Sequence, residues 1–182
     1  ELAVSAWVYP TSYPNDENDT NGADNLMSIS SKDVNYEFHI NQDGKLYWWW
    51  QNETNATRSL TSANSVPLNT WSHVAISYQA GEQKMYINGV LEDSGTWNET
   101  PKHSTCDYFV GADVATGTCD VIPERTFIGL LDEVRIYERY LTQNEVIHDS
   151  NFLRECGLVN SVDHYRIDHP QNNLSCSATS VT

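Results

Sequence analysis

Short runs in which apolar and polar residues alternate recur along the chain, separated by clusters of Asn, Asp, Gly and Ser. Successive side chains on a strand point to opposite faces, so this period of two predicts half-buried β-strands. The runs fall at residues 3–9, 26–30, 35–40, 45–51, 71–78, 83–91, 108–111 and 127–137. Asp43-Gly44 marks a tight hairpin turn between the third and fourth runs, and Gly81-Glu82 turns the central pair. In the 45–51 run Leu46, Trp48 and Trp50 share one face, and Tyr47 and Trp49 share the other. The first set is assigned to the core. The central hairpin puts Val74, Ile76 and Tyr78 inward, opposite Met85 and Ile87. Val134 and Ile136 alternate with Glu133, Arg135 and Tyr137 in the last run. Behind it, Thr142 and Glu145 have the spacing of a capping box, which predicts the start of a short helix. The polar stretches 11–25, 52–65, 92–105 and 112–125 are expected to be loops, rich in residues that suit turns. Many short strands and one late helix predict an all-β fold: an antiparallel two-sheet β-sandwich with one short helix near the C-terminal end.

Three motifs add to this pattern. They are Val4-Ser5-Ala6-Trp7-Val8-Tyr9-Pro10, then Trp71-Ser72-His73-Val74-Ala75 with Tyr86-Ile87-Asn88-Gly89, then Phe127-Ile128-Gly129-Leu130-Leu131-Asp132-Glu133-Val134-Arg135-Ile136-Tyr137. In this order they resemble the laminin-G-like, concanavalin A-like β-sandwich family. The resemblance implies a jelly roll over about the first 150 residues, the size of one domain. Boundaries of 1–155 for the sandwich and 156–182 for a linker and the start of a following module are expected, with a first strand upstream of Glu1. The later stretch 161–179 resembles the module that follows a laminin-G-like domain in MshQ-type proteins. Those belong to the mannose-sensitive haemagglutinin type IV pilus systems of Gram-negative bacteria. The expectation is a secreted or cell-surface protein with pilus or surface proteins as further partners.

Charge narrows the partners. The formal net charge is -15, from 25 acidic against 10 basic residues. That field repels phosphate backbones and anionic lipid, so nucleic acid and membrane insertion are not expected, whereas cations suit it. No apolar run approaches the roughly 18 residues of a membrane span. The cysteines are Cys106, Cys119, Cys156 and Cys176, with no C-x-x-C pair of a zinc or redox site. An even, widely spaced set favours disulfides and an oxidising compartment. Cys106–Cys119 would close a small loop and leave Cys156–Cys176, though spacing alone does not determine connectivity. Sequons beginning at Asn18, Asn52, Asn55, Asn98 and Asn173 matter only in a eukaryotic secretory setting.

Candidate chemistry is sparse on the catalytic side. A glucanase on this fold needs two carboxylates on one strand face, and Asp132-Glu133 and Glu92-Asp93 are adjacent instead. There is no G-x-S-x-G and no H-E-x-x-H, and His73 reads as a packed structural residue. A non-catalytic binding module for carbohydrate or a surface glycoprotein is therefore expected. A spacer or protein-docking domain is the alternative, and a glycoside hydrolase is third. Calcium is the expected cofactor, because Asp16, Asp19, Asn21 and Asp24 cluster hard oxygen donors in one polar loop. The resemblance adds Asp132 to that set. Exposed aromatic faces stack on the C–H faces of sugars, so Tyr47 and Trp49 are the expected ligand-binding rings, joined by Tyr86 and Trp97.

Overall fold

The computed structural model describes residues 1–15, 25–116, 118–122 and 125–155. Strands β1 (Leu2–Pro10), β6 (Ser72–Gln79), β7 (Glu82–Ile87), β8 (Val90–Gly95) and β12 (Gly129–Tyr137) form one antiparallel sheet, in the order β12-β1-β6-β7-β8. A second sheet runs β5-β4-β3-β2-β9. Its strands are β2 (Leu26–Ser31), β3 (Glu37–Asn41), β4 (Lys45–Gln51), β5 (Thr57–Ser65) and β9 (Phe109–Val110). A small hairpin of β10 (Asp113–Val114) and β11 (Val121–Ile122) stands apart, and helix α1 (Gln143–Glu155) closes the described chain. The protein is thus a two-sheet sandwich with one late helix, consistent with a jelly roll, as the alternation predicts.

The inner faces meet in one core. Leu46, Trp48 and Trp50 from β4 point into it, together with Val74, Ile76 and Tyr78 from β6 and Met85 and Ile87 from β7. The Trp48 and Trp50 rings meet Tyr78 edge-on, with centroids 6.4 and 5.8 Å apart. Such contacts add roughly 1 kcal/mol each beyond burial of the rings.

Three elements differ from expectation. The polar stretch 52–65 contains edge strand β5, whose backbone N–H groups at Thr61 and Asn64 donate to Asp93 Oδ2 and Glu92 Oε2, both at 2.9 Å. These carboxylates come from β8, so they also tie the two sheets together at that rim. The expected single strand over 83–91 is two strands. Asn88 and Gly89 both take positive φ (50° and 77°) and turn the chain between them, the hairpin signature of an Asn-Gly pair. The 112–125 loop carries the β10–β11 hairpin.

Helix α1 packs on the outer face of the first sheet. Its capping box forms as predicted: the Thr142 N–H and hydroxyl both donate to Glu145 Oε2 at 2.8 Å. Leu141 and Val146 cover Ala3, Ala75 and Tyr86 in a second apolar cluster.

Candidate functional site

The outer face of the second sheet holds the chemistry. Phe38 and Ile40 on β3 point into the core, so Glu37 and His39 point outward. Register then places Glu37 beside Trp49 and His39 beside Tyr47 on β4. One strand further, Trp49 pairs with Ser59 and Tyr47 with Thr61 on β5. Two rows therefore cross the face: Glu37, Trp49, Ser59 and His39, Tyr47, Thr61. Both rings are half-buried, and Ser59 and Thr61 are exposed. Tyr47 and Trp49 leave the strand about 7 Å apart, two residues of rise.

The β3 side of this face is covered by the β10–β11 hairpin, which brings Asp113 onto Glu37 and His39. One ligand-type atom from each of the three lies within 4.8 Å of the others. The cover is tied down. A disulfide joins Cys106 to Cys119 in the turn between β10 and β11. Ser31 Oγ donates to the Ala112 carbonyl (3.1 Å), Lys32 Nζ donates to the Cys106 carbonyl (2.6 Å), and Arg125 Nη1 donates to Asp113 Oδ2 (2.7 Å). The result is a sealed cluster: His39 is 0 % exposed and Glu37 and Asp113 are each 1 %.

Burial dominates its electrostatics. It pushes the His39 imidazole down to about 4, against the pull of the Asp113 carboxylate, so the ring is neutral at neutral pH. It pushes both carboxyls, Glu37 and Asp113, well above the usual carboxylate range. Glu37 Oε1 accepts the Val34 N–H at 2.8 Å, which orients the group. Its Oε2 lies 3.2 Å from His39 Nε2, and a shared proton bonds the Glu37 carboxyl to that of Asp113, whereas neither ring nitrogen of His39 has a hydrogen-bond partner.

The expected site residues are dispersed. Tyr47 and Trp49 share the open face. Tyr86 does not join them: it lies in the other sheet, 0 % exposed beneath α1, because a helix covers the face on which it projects. Trp97 is half-buried against the core, edge-on to Trp50 at 6.5 Å. Its ring lies over Gly95, where a Cβ would come within 2.2 Å of Cζ3, so only glycine fits beneath it. Asp132 is exposed on edge strand β12, and its Oδ1 accepts the Glu133 N–H at 2.8 Å. Asp16, Asp19, Asn21 and Asp24 lie outside the described residues, as do Cys156 and Cys176. Glu37, His39 and Asp113 escape sequence analysis. The Glu-x-His step on an alternating strand was the available signal, but Asp113 lies far along the chain.

A family model described as concanavalin A-like lectin/glucanases superfamily, of the laminin-G type, matches residues 1–147. The chain belongs to this superfamily. No curated protein matches it closely enough to count as a relative. Among solved structures it is similar to a putative carbohydrate binding protein from Bacteroides ovatus, with a TM-score of 0.61 and 18 % identity. That match covers 80 % of this chain and 39 % of the other. It is also similar to the CBM40 module of a Ruminococcus gnavus sialidase bound to α2,3-sialyllactose. There the TM-score is 0.64, the identity 14 %, and the coverage 82 % of each chain. Domain 4 of an extracellular arabinanase from Geobacillus stearothermophilus, solved with arabinotriose, has a TM-score of 0.56 and 25 % identity. It is matched over 65 % of its length and 81 % of this one. This superfamily chain thus spans less than two thirds of the Bacteroides protein and of the arabinanase domain.

Proposed function

We propose that this domain is a non-catalytic module that binds carbohydrate, free or on a glycoprotein, on the open face of β4 and β5. The observation that carries this reading is the pair Tyr47 and Trp49. The strand sinks three large side chains into the core and still leaves two aromatic rings half-exposed on its other side. Ring faces stack on the slightly positive C–H groups of sugars, and the hydroxyls of Ser59 and Thr61 beside them suit sugar hydroxyls. Sugar-binding modules among the structural neighbours support the reading. A hydrolase is disfavoured because Glu37 and Asp113, the close carboxylates of this face, are sealed beneath the hairpin, out of reach of a glycosidic oxygen.

In the same proposal, Asp16, Asp19, Asn21 and Asp24 hold a structural Ca²⁺ with Asp132. Carboxylate and amide oxygens are the hard donors that ion takes. A secreted or cell-surface location fits the Cys106–Cys119 disulfide, and no helix among the described residues is long and apolar enough to cross a membrane. The pilus setting rests on the resemblance of residues 161–179.

A glycan array run with Ca²⁺ and again with chelator tests the proposal. A selective hit that weakens at least tenfold in Trp49→Ala, about 1.4 kcal/mol, with little change in melting temperature, supports it. A blank array in both conditions sinks it and leaves the spacer or protein-docking reading.

A further inference from the structure

Glu37, His39 and Asp113 meet in a sealed space, where Arg125 and the Val114 N–H hold the oxygens of Asp113 while the His39 ring faces inward without a partner. Both nitrogens of His39 are buried without hydrogen-bond partners, and the Glu37 carboxyl is paired only if a proton is shared with Asp113. Buried polar atoms left bare are costly, so native proteins rarely keep several in one place. Arg125 balances one carboxylate through Asp113. The other has no cation among the contacts described above.

We propose that Glu37, His39 and Asp113 form a binding site for a divalent transition-metal ion of the zinc class. Geometry supports it. Period-two alternation sets Glu37 and His39 on one face of β3, and their facing atoms lie 3.2 Å apart. Ligand atoms around one ion at 2.0–2.2 Å stand roughly 3–4 Å from one another, so closing the cluster from 4.8 Å takes about 1 Å. The donors are already prepared. Both ring nitrogens of His39 are unpartnered, and an imidazole offers one of them to an ion as a lone-pair donor. The Val34 N–H holds Glu37 Oε1 and so turns Oε2 inward. The Val114 N–H (2.8 Å) and Arg125 Nη1 hold the two oxygens of Asp113, each of which retains a further lone pair.

The donor set selects the ion. Imidazole suits zinc, copper, iron and nickel, whereas calcium and magnesium prefer all-oxygen shells. This site is therefore chemically distinct from the proposed calcium loop. The ion would be structural, since bulk solvent does not reach it. It would clamp the β10–β11 hairpin onto β3, beside Tyr47 and Trp49, and so set one wall of the aromatic face. Each strand of the hairpin is two residues long, and opening so small a unit gives the ion its route in. The competing occupant is a proton shared by Glu37 and Asp113.

The test uses the full chain, stripped with chelator and titrated with Zn²⁺ by calorimetry, with melting temperature followed in parallel. One ion per chain is expected, with a rise of several degrees in melting temperature. His39→Gln and Glu37→Gln should each weaken binding at least tenfold and remove the rise. Should those variants fail to fold, anomalous diffraction at the zinc edge on the wild-type protein decides. Density within bonding distance of His39 and Asp113 supports the site, and no density there overturns it. Absence of Zn²⁺ binding, or equal binding by wild type and both variants, also overturns it. The former leaves the shared proton, and the latter leaves an adventitious ion only.

Discussion

At the scale of the residue, β4 shows how one chemical type takes two roles by parity alone. Trp48 and Trp49 are neighbours, yet the first is 0 % exposed and the second stands half-open on the far face. His73 on β6 shows where parity stops: it faces away from the core with Ala75, yet it is buried, edge-on to Trp7 at 5.6 Å. Burial pushes its imidazole down to about 4, with Asp149 opposing and Arg135 reinforcing. The unfolded chain, with an ordinary histidine value near 6.5, takes up its proton first as pH falls. Stability from His73 is therefore complete above about 6.5 and is lost as pH falls toward 4, by on the order of 3 kcal/mol. His39 shifts the same way, whereas Glu37 and Asp113, raised by burial, lose stability as pH rises. A difference measurement isolates His73. Urea unfolding of wild type and His73→Phe, from pH 7 to pH 4, should show the wild type losing more stability on acidification. Parallel profiles would sink this account.

At the scale of the element, local signals were legible where they act through the backbone. The capping box at Thr142 and Glu145 is an example, since all its partners lie within three residues. Arg139 adds an ion pair to Glu145 at 2.7 Å. Because α1 covers Tyr86 and Ala75, loss of the cap propagates to the sheet. Thr142→Ala should cost about 1 kcal/mol by denaturant titration, with most change in hydrogen exchange over α1. Strand β5 was not legible for the opposite reason. Its sequence buries only Leu60 and Ser62, too little for a visible period, and pairing with β4 makes it a strand. The β7–β8 turn lay in between. Asn88-Gly89 carries a hairpin signal, but continuous alternation on either side hides it.

For the molecule as a whole, the question is what keeps a short cover seated on a sheet. Each strand of the β10–β11 hairpin is two residues long, with Val114 buried beneath it, and the Cys106–Cys119 link across 13 residues adds constraint. A loop of that size restricts the unfolded chain by about 3 kcal/mol. The double substitution Cys106→Ser with Cys119→Ser should therefore lower unfolding free energy by about that amount in urea, with unchanged far-ultraviolet circular dichroism. A loss below about 1 kcal/mol would mean that the hairpin is seated by its other ties, Ser31, Lys32 and Arg125. The two sheets are joined more directly, by their shared core and by Asp93 and Glu92 at the β5–β8 rim.

By itself the sequence determined which residues of β4, β6 and β7 face inward, where α1 begins, and that two antiparallel sheets stack. Those properties follow from side-chain parity and short-range hydrogen bonds, which are written in consecutive residues. Only the tertiary structure decided which outward faces stay open. Tyr86 and Tyr47 both project from strands, but α1 lies over one and leaves the other half-exposed. The joining of Glu37 and His39 to Asp113 was likewise decided in three dimensions, by a hairpin that folds back across the sheet. Alternation tells the side of a sheet on which a residue lies. What covers that side depends on segments distant in the chain, and no local pattern encodes it.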